Sequence, residues 1–228
     1  MHAIDFWFDP VSPYAAIAFE RAPQRLAGHS IAITYRPILF AGLLKHWGQL
    51  GPAELAPKRA WTYRHVNWLM REHGLDLQMP AAHPFDPLPL LRLAWACASP
   101  ADAPLGTTAG LPGTATPNRR IAEAVLDHVW RGGGDPGDRA RLDALRGELQ
   151  PARDPASAEV KAALRAATDD AIARGVFGVP TFGHAGRLYW GLDGLDMLEA
   201  ALRQAPSTLD DAAWQSAAGW PVGAERPR

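Results

Sequence analysis

Hydrophobic positions crowd the start of the chain. Residues 3–8 (AIDFWF) mix aromatic and branched side chains with an imperfect alternation, which predicts a strand. The pattern then changes period. In PYAAIAFERAPQRLAG the apolar positions Ile17, Phe19 and Leu26 recur near helical spacing, and Gly28 ends the run. Residues 31–36 (IAITYR) return to a strand that stops at Pro37. Two strands joined by a helical crossover pair in parallel, so the chain opens with a β-α-β unit. Residues 38–57 read as a loop. KRAWTYRHVNWLMREHG reads as a helix with Trp61, His65, Trp68 and Leu69 near one stripe. After the proline-rich connector QMPAAHPFDPLP comes a very apolar helix over 88–98. Residues 99–118 read as a long exposed loop, 119–131 and 138–149 as helices, and Asp154-Pro155 as the start of a helix that reaches Arg174. The segment VFGVPTFGHAGRLYWGLDGLDMLEAALRQ closes the pattern as strand, tight turn at 184–186, strand, and a helix from about Asp193 to Arg203. Residues 206–228 read as a loosely held tail that Trp214 and Trp220 tether somewhere.

Composition changes this picture little. The chain has 228 residues, 47% hydrophobic and 21% charged, which suits an ordinary globular core. A net charge of −1 gives no support for binding nucleic acid or an anionic membrane surface. No apolar run reaches the roughly 20 residues of a membrane helix. Met1 to Asp5 lacks the basic and apolar regions of a signal peptide, so a cytoplasmic protein is the expectation. Cys97 is the single cysteine and sits in the apolar run LLRLAWACAS, as a small core residue rather than a nucleophile. One cysteine excludes an internal disulfide and any cysteine-cluster metal site. The eight histidines show no metal-ligand spacing, so no metal is expected.

A β-α-β half and a β-β-α half make a thioredoxin-like fold, an α/β architecture here interrupted by an all-helical insertion. The implied organisation is a discontinuous thioredoxin-like domain (1–40 and 176–205), a helical insertion (41–175) and a C-terminal tail (206–228). The residues carry the likeness further. FDPVSPY, PILFAGLLKHWGQLGP, APKRAW, HPFDPLPLLRLA and GVFGVPTF with LYWGLD occur in that order over most of residues 4–203. Together they resemble the 2-hydroxychromene-2-carboxylate isomerase family, which has a DsbA-like fold and is close to the kappa-class glutathione transferases.

The resemblance implies a cofactor, glutathione, and a role for each matching residue. Ser12-Pro13-Tyr14-Ala15 stands where disulfide oxidoreductases carry Cys-x-x-Cys, so the chain itself cannot run dithiol exchange, and the resemblance gives Ser12, Pro13 and Tyr14 to the glutathione site. Locally, Ser12 is either a plain helix N-cap, with Pro13 at the first helical position, or a ligand site at the helix end. The resemblance makes it the latter: a helix N-terminus favours an anion, and the Ser12 hydroxyl would donate to a glutathione thiolate. Val179-Pro180 would be a cis pair whose backbone docks the cysteinyl part of glutathione as a strand does. Leu192 and Asp193 would hold the γ-glutamyl end, with Asp193 also a natural N-cap. Gly194 replaces the arginine usual in relatives. Lys58 would bind the glycyl carboxylate, with help from Gln49 in place of the usual asparagine.

Asp86, where relatives often carry asparagine, either alters substrate preference or caps the helix that follows. Trp47, Trp61, Trp68 and Phe40 either wall an aromatic substrate or form core, and a tryptophan stripe is more often core. The family reaction interconverts 2-hydroxychromene-2-carboxylate and trans-o-hydroxybenzylidenepyruvate in aromatic catabolism, by reversible thiolate addition that regenerates glutathione. The alternatives are a kappa-like glutathione transferase and a non-catalytic thioredoxin-like glutathione-binding module. The partners implied are a small aromatic substrate and a second copy of the chain, with no nucleic acid and no membrane.

Overall fold

A computed structural model describes residues 1–99, 115–221 and 223 of the chain. Most of the loop read at 99–118 lies outside the described residues. Four strands form one sheet in the order β2-β1-β3-β4. Strand β1 (His2–Phe8) pairs in parallel with β2 (Ile31–Pro37) across helix α1 (Pro13–Arg25). On its other side β1 runs antiparallel to β3 (Thr181–His184), and β3 continues through a tight turn into β4 (Arg187–Trp190). Between β2 and β3 lie α2 (Phe40–Trp47), α3 (Ala56–Glu72), α4 (Leu88–Cys97), α5 (Arg119–Trp130), α6 (Arg139–Leu149) and α7 (Ala158–Ala173). Helices α8 (Gly191–Leu202) and α9 (Asp211–Ala218) complete the described chain. No helix among the described residues is long and apolar enough to cross a membrane.

The pleat of β1 divides the core. Ile4, Phe6 and Phe8 join the cluster that includes residues of α1, α3, α5 and α8, whereas Trp7 faces the opposite cluster with Ile38, Leu43, Val160 and Leu164. Phe6 is the hub of the first cluster. Its ring meets Phe182 of β3 at 4.9 Å and Tyr35 of β2 at 6.1 Å. Each such pair adds about 0.5–1.5 kcal/mol beyond burial and joins all three strands. Helix α4 serves both clusters: Leu90, Leu93 and Ala94 face one, Leu91 and Trp95 the other. Cys97 packs half-buried against the first, and burial pushes its thiol up to about 11, which leaves it protonated and unreactive.

Three sequence expectations change. Residues 38–57 are not all loop. FAGLLKHW forms α2, because Leu43 is fully buried under α7 and the left-handed Gly48 closes the helix by bonding its N–H to Leu44 O. The helix expected from Asp154 begins at Ala158, capped by Ser157, whose Oγ accepts the Val160 N–H at 3.2 Å. Asp193 does not cap α8. The helix starts two residues earlier, after Trp190, so Asp193 lies in its first turn. In the tail, Trp214 packs on Tyr189 with ring centroids 5.5 Å apart and lies under Arg187, while Trp220 is exposed.

Candidate functional site

Helix α1 starts at the sheet's end because three backbone groups of the preceding loop are tied down. Asp9 is wholly buried, and its carboxylate accepts the Val11 N–H and the Phe40 N–H, each at 2.9 Å. The indole of Trp130 donates to Pro10 O at 2.9 Å. Nε2 of His83 donates to Val11 O at 2.7 Å, and the Tyr63 hydroxyl lies 2.8 Å from its other ring nitrogen. These contacts bring α2, α5 and the His83–Asp86 segment onto the loop that ends in Ser12.

Ser12 is the N-cap of α1, and its Oγ accepts the Ala15 N–H at 3.3 Å. The same oxygen donates to Val179 O at 3.3 Å, across 167 positions of sequence. Ser12 is thus a helix N-cap that also meets the Val179-Pro180 pair, whose peptide bond is cis. Val179 is buried, and no group among the described residues accepts its N–H. The Gly191 N–H bonds Pro180 O at 2.9 Å, which sets Leu192 and Asp193, in the first turn of α8, beside the cis pair. Gly194 has a structural cause. A Cβ there would sit 2.6 Å from the Tyr189 carbonyl carbon, so an arginine requires the backbone to move.

The remaining candidates fall around this junction. Trp47 donates its indole N–H to Val176 O at 3.0 Å, which fixes the end of α2, and Gln49 just after it, beside the 176–179 loop. Lys58 is exposed in the first turn of α3 and makes no ion pair with any described residue. Asp86 accepts the Leu88 N–H at 3.0 Å, as a helix-starting residue does, and its charge opposes ionisation of Asp9. Phe40 is half-buried against the second core cluster rather than in a wall.

The tryptophans overturn the expectation of a core stripe. Trp61 is 64% exposed, Trp68 55% and Trp47 42%. Periodicity marks a stripe without saying which stripe is buried, and on α3 the buried one is Thr62, Val66, Leu69 and Met70. Trp61 and Trp68 flank His65, their rings parallel to its ring within 14° and 11° at centroid distances of 6.1 and 6.0 Å. Nδ1 of His65 lies 2.9 Å from the hydroxyl of Tyr14, two residues after Ser12. Phe177, on the loop leading to Val179, and Trp190, at the end of β4, were not anticipated from sequence and add a second exposed aromatic pair, with centroids 5.0 Å apart. The aromatic content of GVFGVPTF and LYWGLD was their only signal.

Asp9 gives the loop a pH dependence. Burial raises its carboxyl to about 7 despite the two backbone N–H bonds that favour its charge. The folded chain therefore binds this proton more tightly than the unfolded chain, whose carboxyl has the ordinary value of 3.8. The contribution is fully present below about pH 4 and is lost as pH rises through 7, by up to about 4 kcal/mol. Urea denaturation at pH 5 and pH 8 is expected to show a wild-type midpoint that falls, relative to Asp9→Asn, with rising pH. A difference that grows in the opposite direction refutes this assignment.

Comparison with known proteins agrees with the geometry. The family of DSBA-like thioredoxin domains matches residues 3–203. The chain is similar to the 2-hydroxychromene-2-carboxylate isomerase of Sphingobium xenophagum, with 26% identity over 209 residues, 87% of this chain and 97% of that protein. The enzyme of the same name from Pseudomonas putida is 27% identical over 209 residues, 87% of this chain and 93% of its own. A solved structure of 2-hydroxychromene-2-carboxylate isomerase superposes with a TM-score of 0.69, covering 96% of this chain and 100% of that one, at 22% identity. That last likeness speaks to the fold alone. From the cis-proline loop set against the start of α1, and from a family match that runs through nearly all of both halves, the chain belongs to the DSBA-like thioredoxin domain family.

Proposed function

We propose that this chain is a glutathione-dependent isomerase of the 2-hydroxychromene-2-carboxylate type. The observation that carries the reading is the junction of Ser12 Oγ with Val179 O at 3.3 Å, at a helix N-terminus that has serine in place of a redox cysteine. The two curated relatives named above support the substrate class.

The residues fit the cofactor. Val179 presents an unpartnered N–H beside its carbonyl, the pair of groups that an extended peptide needs for strand-like docking. The first turn of α8 offers backbone N–H groups for a carboxylate, and Asp193 offers a counter-charge for an ammonium group. Lys58, with Gln49, would hold the glycyl end, and Pro13 and Tyr14 complete the first turn of α1. Glutathione would supply a soft nucleophilic sulfur that adds to a conjugated carbon and leaves again. Ser12 would favour the anionic form of that sulfur by donating a hydrogen bond from its hydroxyl, and the N-terminal dipole of α1 would act in the same sense. Trp47 and Trp61 would line the approach for a flat aromatic substrate, with Asp86 at its edge.

Isothermal titration with glutathione, followed by turnover of 2-hydroxychromene-2-carboxylate at substoichiometric glutathione, tests the proposal. Binding and many turnovers per glutathione are expected. Stoichiometric loss of free thiol would instead mark a transferase, and absence of binding would mark a module without the cofactor.

A further inference from the structure

We infer that Tyr14 and His65 form an acid–base relay for the ring-opening step, an inference that rests on the isomerase reading above. Ring opening of a cyclic hemiketal moves two protons, and Ser12, assigned to the sulfur, is not free to carry them. Asp9 is wholly buried, its oxygens engaged by Val11 and Phe40 N–H. His83 is held between Val11 O and Tyr63. Tyr14 differs. It stands in the first turn of α1, two residues from Ser12, and its hydroxyl lies 2.9 Å from His65 Nδ1. Burial raises its phenol above the ordinary value, so it is a proton donor at neutral pH.

Helix α3 presents His65 on a line with Lys58, Trp61 and Trp68, at spacings of three, four and three residues that bring all four to one stripe. The parallel indoles of Trp61 and Trp68 fix the imidazole plane between them. Among the described residues nothing hydrogen-bonds the outer nitrogen, Nε2. The pair therefore links the first turn of α1 to the exposed side of α3, where protons exchange with solvent.

The step balances. The ring C–O bond breaks and its electron pair stays on the phenolic oxygen. Tyr14 gives that oxygen its hydroxyl proton, and His65 Nδ1 returns a proton to Tyr14. The hemiketal hydroxyl loses its proton to solvent, and its electron pair completes the ketone C=O bond. One proton leaves the substrate and one arrives, so no co-reactant is consumed, and His65 is reset from solvent.

Tyr14→Phe keeps the ring and is expected to lower kcat about 100-fold, the ordinary contribution of a positioned acid or base. His65→Ala is expected to lose about tenfold in kcat and to recover on addition of free imidazole. A second readout is independent of turnover. Titration of the chain with o-hydroxycinnamate, a phenol that carries a conjugated carboxylate, is expected to shift the ¹⁵N signals of the His65 ring in wild type but not in Tyr14→Phe. Wild-type kcat in Tyr14→Phe overturns the relay alone, as does a His65 ring insensitive to the phenol. A wild-type chain that binds no glutathione overturns the isomerase reading and the relay with it.

Discussion

Ser12→Ala is expected to cut turnover about 100- to 1,000-fold, the scale set by removing one preorganised donor from a developing or resident negative charge. The same change is expected to raise the pKa of the bound glutathione thiol, read from thiolate absorbance in the ultraviolet. The two effects have one cause. The hydroxyl that donates to Val179 O at 3.3 Å can turn to a sulfur placed at the same helix end, and alanine has no proton to offer. The loss of stability should be modest, about 1–2 kcal/mol, because the cap on the Ala15 N–H and one long bond to Val179 O are removed. That disparity separates a functional role from a structural one. A bound thiol that titrates as before in Ser12→Ala, with turnover intact, would leave Ser12 as a cap and nothing more.

The largest expected loss of stability is at Trp130. This indole is 1% exposed at the C-terminal end of α5, and it donates to Pro10 O in the loop before Ser12. Trp130→Ala opens a large cavity, a change that costs about 3–5 kcal/mol, and leaves Pro10 O without its partner, which adds about 1–3 kcal/mol if water does not reach it. For a chain of this length the melting temperature should fall by about 10 °C or more. Trp130→Phe fills most of the space yet cannot donate, so it should cost about 2 kcal/mol and weaken glutathione binding through the displaced loop. Calorimetry on the two variants checks both parts. A melting temperature within a degree of wild type in Trp130→Ala would refute the assignment.

Much of the fold was legible because local signals agreed. Pro37 stopped β2, Gly28 closed the turn after α1, and the 184–186 turn joined β3 to β4, so both halves of the thioredoxin fold could be read directly. Helix α2 was hidden because it is short, contains Gly42 and lacks a side-chain cap, and only burial of Leu43 against α7 explains it. Asp193 misled because acidic residues suit both a cap and a first turn, and the choice fell to close packing of Gly194 on Tyr189. The sequence could place Trp61, His65 and Trp68 on one stripe but not say that it faces outward. The contacts that build the site, Trp130 with Pro10, His83 with Val11 and Tyr14 with His65, join residues 120, 72 and 51 positions apart. No local pattern encodes them.

The contact between Ser12 and Val179 also has a consequence for biosynthesis. The helix end that would receive the ligand leaves the ribosome well before its other half, which begins at Val179, 167 positions later. β3 must then pair with the open edge of β1, with β4 as its hairpin partner, before the two halves meet. A nascent chain therefore carries the serine through 167 further residues of synthesis without having the cradle, and ligand capture would report completion of the sheet rather than formation of its first helix.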